Sequence, residues 1–198
     1  MKIMKLFLCL VLIFLIFLVC TSRTFAHNDK TKGGYMERFE GKKILIAYFS
    51  WSGNTKQVAQ KIHNTIGGNM LQIETETPYP SDYNETAYGI AKKQHEENTK
   101  PKLKSNKDVS GYDIIFVGTP AWWYEMAPAV KTFLTENNFE GKTTVPFITH
   151  GGGGKYNIAQ DMAKLAKNAN VIQNPLVFYG NGGAKAQQEV DNWLKQLK

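Results

Sequence analysis

The stretch KILIAYFSWSGNTKQVAQKIHNTI, residues 43–66, decides the fold. Its first part, KILIAYF (43–49), is a short apolar run with β-branched and aromatic residues, which is typical of a strand buried on both faces. Its last part, 54–66, repeats apolar residues at every fourth position and ends before a Gly pair, which predicts an amphipathic helix. The hydroxyl-rich SWSGNT (50–55) joins strand to helix, so the stretch reads as one unit of a parallel α/β sheet.

The same alternation continues to the end of the chain. Further strands are predicted at 69–75, 112–118, 143–149 and 174–180, and further helices within 78–98, 127–137, 157–168 and 186–198. Each parallel crossover needs a helix to return the chain. We therefore predict a doubly wound, five-stranded parallel sheet of order 2-1-3-4-5 between two helical layers, with ligands at the carboxyl ends of the strands.

The N-terminal segment, 1–26, has the pattern of a secretory signal. Two lysines precede fifteen apolar residues, Leu6 to Cys20, and small residues lead to a predicted cleavage after Ala26. Fifteen residues are short for a membrane span, which needs about 20. An uncleaved membrane anchor and lipidation at Cys20 are the alternatives. The polar stretch 27–42 is predicted to be a linker, and 43–198 the domain.

Cleavage after Ala26 would leave a chain without cysteine and with a mild basic excess. Both cysteines lie inside the segment, and its loss lowers the basic count from 24 to 21 against 17 acidic residues, a net charge near +4. The lysines and arginines form no block, which disfavours nucleic-acid binding. We expect an exported protein, secreted or membrane-anchored, that touches the membrane only through its N-terminal segment.

Three predicted strand-end loops have unusual compositions. In 50–55, three hydroxyls and Gly53 precede a helix N-terminus, which favours an anion such as phosphate, although an ordinary capped turn has the same residue types. In 118–128, Pro120 is followed by Trp122, Trp123 and Tyr124. These three side chains are predicted to cover a flat ring or, alternatively, to pack against a neighbouring helix or a partner protein. In 149–157, four glycines allow the backbone to approach a ligand.

A phosphate site, an aromatic platform and a polar backbone edge are what flavin mononucleotide (FMN) requires. The nucleotide-triphosphate loop and the dinucleotide fingerprint are both absent from the sequence. Neither a metal site nor a catalytic side chain is predicted.

The motifs ILIAYFSxSGNT, YPxDY, GTPxWWxxxP and THGGGG resemble those of the flavodoxin family, from about Lys43 to the C-terminus. The resemblance implies that the first loop holds the FMN phosphate, that Trp122 lies on the flavin face, and that the last loop borders the ring and the ribityl chain. The predicted cofactor-binding residues are Ser50, Ser52, Gly53, Asn54, Thr55, Pro120, Ala121, Trp122, Trp123, Tyr124, Thr149, Gly151, Gly152 and Gly153.

The chain departs from well-known flavodoxins, which are acidic and cytoplasmic. Its basic charge means that their redox partners cannot be assumed. The loop after the fifth strand, YGNGGAK, leaves the second flavin face open. We predict an exported FMN electron carrier whose partner is a redox protein or a small-molecule acceptor. The alternatives are an FMN-dependent NAD(P)H:quinone or small-acceptor reductase, and a flavin-binding or interaction module without redox turnover.

Overall fold

A computed structural model of the chain describes residues 35–105 and 107–197. The predicted signal segment, 1–26, lies outside the described residues, and so does the linker as far as residue 34. The compact domain begins at Arg38. No helix within the described residues is both long and apolar enough to cross a membrane.

Strands and helices alternate along the domain. The strands are β1 (Ile44–Tyr48), β2 (Asn69–Gln72), β3 (Ile114–Trp122), β4 (Glu125–Met126), β5 (Thr143–His150), β6 (Asn170–Val171) and β7 (Leu176–Tyr179). The helices are α1 (Asn54–Ile66), α2 (Ala91–Glu96), α3 (Pro128–Glu136), α4 (Ile158–Leu165) and α5 (Ala186–Gln196). A π-helical turn, Glu85–Ile90, leads into α2, and a 3₁₀ turn, Gly183–Lys185, leads into α5.

The sheet confirms the predicted strand order. Its path is β2-β1-β3-β5-β6, with β7 also paired to β5, and all of these pairs are parallel. The predicted fifth strand corresponds to β7. The short β6 precedes it on the same side of β5, and Pro175, which has no N–H to donate, lies between the two.

The two faces of the sheet are covered by different helices, which gives the predicted three layers. All five side chains of β1 are buried, and burial of one such aliphatic side chain stabilises the fold by about 1.5–3 kcal/mol. On one face, Ile115 and Val117 belong to a core cluster that includes Phe133 of α3. On the other, the ring of Phe116 contacts Phe39 and Trp193 of α5, with centroids 6.2 and 6.0 Å apart.

The prediction of a loop at 118–128 is wrong. β3 continues to Trp122, the chain turns at Trp123 and Tyr124, and β4 returns antiparallel, pairing Trp122 with Glu125 and Ala121 with Met126. Both turn residues have positive φ, 47° and 71°, as a tight primed hairpin requires. The usual sequence signal for this turn is Asn-Gly or Asp-Gly, so the Trp123–Tyr124 pair did not indicate a hairpin.

Candidate functional site

The loop 50–55 lies at the carboxyl end of β1 and opens α1. Gly53 precedes the helix with φ = 86°, a left-handed conformation that glycine adopts readily. The Ser50 Oγ accepts the backbone N–H of Lys56 at 3.2 Å. The N–H groups of Asn54 and Thr55, in the first helical turn, have no intrahelical acceptor and lie at the positive end of the helix dipole. The loop can therefore bind an anion through backbone and hydroxyl donors.

A buried pair of hydroxyls connects this loop to β5. The Oγ1 atoms of Thr55 and Thr149 are 2.8 Å apart, and the two residues are only 1% and 2% exposed. One hydroxyl donates within the pair, so the hydrogen of the other remains free for a further acceptor. Thr149 lies in strand β5, in agreement with the predicted strand 143–149, and its contact with Thr55 brings it to the loop 50–55.

Trp122 belongs to a cluster of three aromatic rings. Its ring meets those of Phe49 and Tyr79 edge-on, with centroids 5.4 and 5.1 Å apart. The Tyr79 hydroxyl donates to Gln94 Oε1 at 2.7 Å, and burial raises the pKa of Tyr79 to about 12. These contacts fix the plane of the indole, which makes Trp122 a rigid wall rather than a mobile side chain.

The hairpin turn carries two further aromatic side chains. The Trp123 Nε1–H donates to the Ala87 carbonyl at 2.7 Å, which connects the hairpin to the π-helical turn. The ring of Tyr124 packs edge-on against Tyr156, with centroids 5.3 Å apart. Pro120 and Ala121 lie in β3, where the Thr119 hydroxyl accepts the N–H of Ala127 at 2.9 Å.

The glycine loop, residues 151–154, follows β5 and also contributes to the site. The Gly152 N–H donates to His150 Nδ1 at 3.0 Å. A Cβ on Gly153 would stand 1.5 Å from the Tyr156 hydroxyl, so glycine is required there for that ring to lie over the loop. A Cβ on Gly151 would meet nothing within 4 Å.

These elements surround a cleft of about 380 Å³. Of the residues predicted from the sequence, six line it, namely Ala121, Trp122, Trp123, Tyr124, Gly151 and Gly153. The predicted phosphate-loop residues, with Pro120, Thr149 and Gly152, do not line it. Trp51, the second residue of the loop 50–55, does line the cleft, which places that loop beside it.

Sequence reasoning missed the wall opposite the glycine loop. It is formed by the last residue of the YPSDY stretch (79–83) and by residues that follow this stretch, and its members are Tyr83, Thr86, Ala87, Tyr88 and Ala91. The two tyrosines, Tyr83 and Tyr88, were the sequence signal that could have indicated this wall. Within the described residues, no group of His, Cys, Asp and Glu side chains has the arrangement of a metal site.

Comparisons with known proteins agree with this arrangement. Residues 43–197 match the family model described as Flavodoxin. A solved structure of a proposed flavoprotein from Bacteroides eggerthii is 30% identical, covers 77% of this chain and 96% of its own, and has a TM-score of 0.65.

A flavoprotein from Lactobacillus acidophilus NCFM, solved in complex with FMN, is 29% identical, with 77% of this chain and 98% of that chain covered and a TM-score of 0.58. Among curated proteins, none matches. Because the family model spans nearly the whole domain, the chain belongs to the flavodoxin family.

Proposed function

We propose that the domain binds FMN and acts as an electron-transfer protein outside the cytoplasmic membrane. The observation that carries the proposal is the buried Thr55–Thr149 hydroxyl pair, which keeps one hydrogen free beside a helix N-terminus. That donor set suits the phosphate of FMN, and the cleft next to it suits a flat ring. The similar flavoprotein from L. acidophilus supports FMN as the ligand.

The roles of the residues follow from their positions. Ser50, Ser52 and Thr55 would hold the phosphate together with the backbone N–H groups of 53–55. Trp122 would cover the ring, and Gly151 and Gly153 would let the backbone approach its polar edge. FMN supplies the redox chemistry when bound, so the chain needs only to bind it, orient it and keep water from part of its surface.

The proposal of action outside the membrane rests on the signal-like segment 1–26. An acidic redox protein or a small-molecule acceptor suits a net charge near +4 better than a basic partner does. Fractionation of cells that produce the full-length chain, with antibody detection in membrane, cytoplasmic and external fractions, tests this part. Protein found only in the cytoplasm would contradict it.

The cofactor is tested with the chain from His27 onward, titrated with FMN. Flavin absorption bands, quenched Trp fluorescence and electron transfer from the reduced holoprotein to ferricyanide are expected. The double variant Ser52→Ala/Thr55→Ala should bind FMN more weakly, whereas Ser105→Ala, an exposed serine far along the chain, should not. Protein that takes up no FMN would refute the proposed function.

A further inference from the structure

The amino ends of the central strands meet at the edge of the sheet opposite the cleft. β1, β3 and β5 are parallel, and their first residues, Ile44, Ile114 and Thr143, lie side by side in the register. The cleft lies at the other ends of these strands, where Trp122 ends β3 and His150 ends β5. The segments that lead into the three strands therefore form a surface that the proposed FMN site does not use.

These leading segments carry cationic side chains around two hollows of about 530 and 490 Å³. The five cations that line the hollows, here called the basic edge, are Arg38, Lys42, Lys43, Lys107 and Lys142. Among the described residues that line the larger hollow, three are lysines and one, Asp108, is a carboxylate. The described lining of the cleft, by contrast, includes no Asp, Glu, Lys or Arg.

Two carboxylates at this edge are hydrogen-bonded to backbone N–H groups of the loops that contain the cations. Asp108 accepts the N–H of Ser110 at 2.8 Å, and the hydrogen bonds from Ser110 lower its pKa. Asp113 accepts the N–H of Lys43 at 2.8 Å. In the part of the chain that the structure describes, Lys42, Lys43 and Lys107 form no ion pair. With Glu140 included, five cations face three carboxylates, so the edge attracts anions.

The basic edge is preformed because Lys142 holds the loop before β3. Its Nζ donates to the carbonyls of Ser110 and Tyr112, both at 2.8 Å. The Tyr112 hydroxyl accepts from Asn69 Nδ2 at 2.9 Å, and Lys107 Nζ lies 6.0 Å from the centre of its ring. Tyr112 lines both hollows, and tyrosine is enriched where lipid meets water because its ring is apolar and its hydroxyl polar.

The N-terminal segment joins the domain at the same edge. The compact domain begins at Arg38, whose Nη2 donates to the Lys195 carbonyl at 3.2 Å. Only residues 21–37 separate it in sequence from the apolar run Leu6 to Cys20. An apolar membrane-binding segment and a basic surface together hold a protein on a membrane more stably than either does alone.

We propose that the basic edge docks on the anionic phospholipid surface of the membrane. Lys42, Lys43 and Lys107 bind headgroup phosphates, and Tyr112 lies among the headgroups. This contact is added to the one predicted for the N-terminal segment. Because the cleft lies at the opposite edge of the sheet, it then opens away from the lipid, and its electron acceptor comes from the aqueous side. The docking itself goes beyond the proposed function and requires no FMN.

The test uses the chain from His27 onward, which lacks the apolar run and contains the whole compact domain, so that binding reports on the domain. Cosedimentation measures its partition coefficient on vesicles of phosphatidylcholine alone and on vesicles with equal parts of phosphatidylcholine and phosphatidylglycerol. Binding is expected only on the anionic vesicles. It should disappear when salt rises from about 0.1 M to about 1 M, because the Debye length falls from about 10 Å to about 3 Å.

Removal of charge locates the surface. Lys43→Gln/Lys107→Gln should lower the partition coefficient about 20-fold, because each lysine near an anionic surface contributes about fivefold. Lys93→Gln/Lys100→Gln removes the same charge from exposed lysines that line neither hollow, and it should change the coefficient by about twofold or less. All four lysines are exposed, so the free energy of unfolding should stay unchanged in both variants.

A fluorescent label tests the orientation. The chain from His27 onward has no cysteine, so one introduced cysteine carries a single nitrobenzoxadiazole label. Gly111 lines the larger hollow, and a Cβ there would meet nothing within 4 Å, so Gly111→Cys fits the fold. Tyr179 is 71% exposed at the carboxyl end of β7 and marks the opposite edge. On anionic vesicles, the emission of the label should shift to shorter wavelength in Gly111→Cys and stay unchanged in Tyr179→Cys.

Three outcomes would overturn the inference. The first is equal binding, or none, on neutral and anionic vesicles. The second is an equal loss in the two double variants, which would mean that only net charge matters. The third is a shift in Tyr179→Cys without one in Gly111→Cys, which would turn the cleft toward the lipid. A chain that binds no FMN refutes the proposed function but leaves these measurements as they are, so the two failures are distinguishable.

Discussion

Replacing Thr55 by Val separates the structural role of the buried hydroxyl pair from its proposed role in FMN binding. Val keeps the shape of Thr and removes the hydroxyl, so Thr149 Oγ1 loses the partner now 2.8 Å away. A buried polar group without a partner costs about 1–3 kcal/mol of stability. A hydrogen bond to a charged phosphate is worth about 1.5–3 kcal/mol, so FMN affinity should fall by roughly 10- to 150-fold.

The assay measures two quantities on each variant. Urea denaturation without FMN gives the free energy of unfolding, and fluorescence titration gives the dissociation constant for FMN. The double variant Thr55→Val/Thr149→Val removes both hydroxyls, and replacement of both partners by apolar groups is nearly neutral for stability. Stability should therefore recover in the double variant while FMN binding remains weak.

Thr132→Val is the matched control. Thr132 is also 1% exposed, and its hydroxyl donates to the Pro101 carbonyl at 2.9 Å, away from the cleft. It should lose stability and keep FMN affinity. If Thr55→Val and Thr149→Val lose stability as this control does but bind FMN within about twofold of the unmodified protein, the pair only packs the core and the phosphate assignment is wrong.

Three further changes test the framework of the site, each by urea denaturation. Burial in the folded protein raises the pKa of Tyr79 to about 12, from about 10 in the unfolded chain. The free energy of unfolding should therefore be highest below pH 10 and fall by about 2–3 kcal/mol between pH 10 and 12, and Tyr79→Phe should not show this loss. Lys131→Met leaves the carboxylate of Glu125 without the cation 2.5 Å away and should destabilise by about 2 kcal/mol, partly recovered by adding Glu125→Gln. Gly118→Ala places a Cβ 2.1 Å from the Phe147 ring and should destabilise by about 1–3 kcal/mol, less with Phe147→Leu. A free energy of unfolding that is unchanged in Lys131→Met, in Gly118→Ala, or between pH 10 and 12 in the unmodified protein contradicts the corresponding reasoning.

The sequence predicted the order of the elements because local patterns determine it. The bounds of α1, Asn54–Ile66, agree with the apolar period and with the glycines that end it. Gly67 ends the helix with φ = 71°, a role that the sequence pattern indicates. A Cβ on Gly68 would stand 2.9 Å from Ile44, a tertiary contact that the sequence does not show.

The β3–β4 hairpin and the wall of the cleft formed by Tyr83–Ala91 depend on tertiary contacts, and for this reason the sequence did not predict them. The Trp123–Tyr124 turn has residues that disfavour positive φ, and tertiary contacts enforce it, among them the pairing of β3 with β4. The contact of Trp123 with Ala87 joins residues 36 positions apart. No periodicity of strand or helix connects such distant positions, so the sequence indicated aromatic residues without showing which of them share a cleft.

A strained hairpin that carries ligand-facing rings must be held by contacts on several elements, and this one is. The Glu125 carboxylate in β4 lies 2.5 Å from Lys131 Nζ on α3. It is also 2.9 Å from His95 Nδ1 on α2, a close approach without the alignment of a hydrogen bond. Trp123 adds the bond to Ala87 in the π-helical turn. Because α2 continues that turn, these contacts connect the hairpin to the wall of the cleft formed by the π-helical turn, and the Glu125–Lys131 ion pair behind the cleft and the Trp123 ring within it hold the two together.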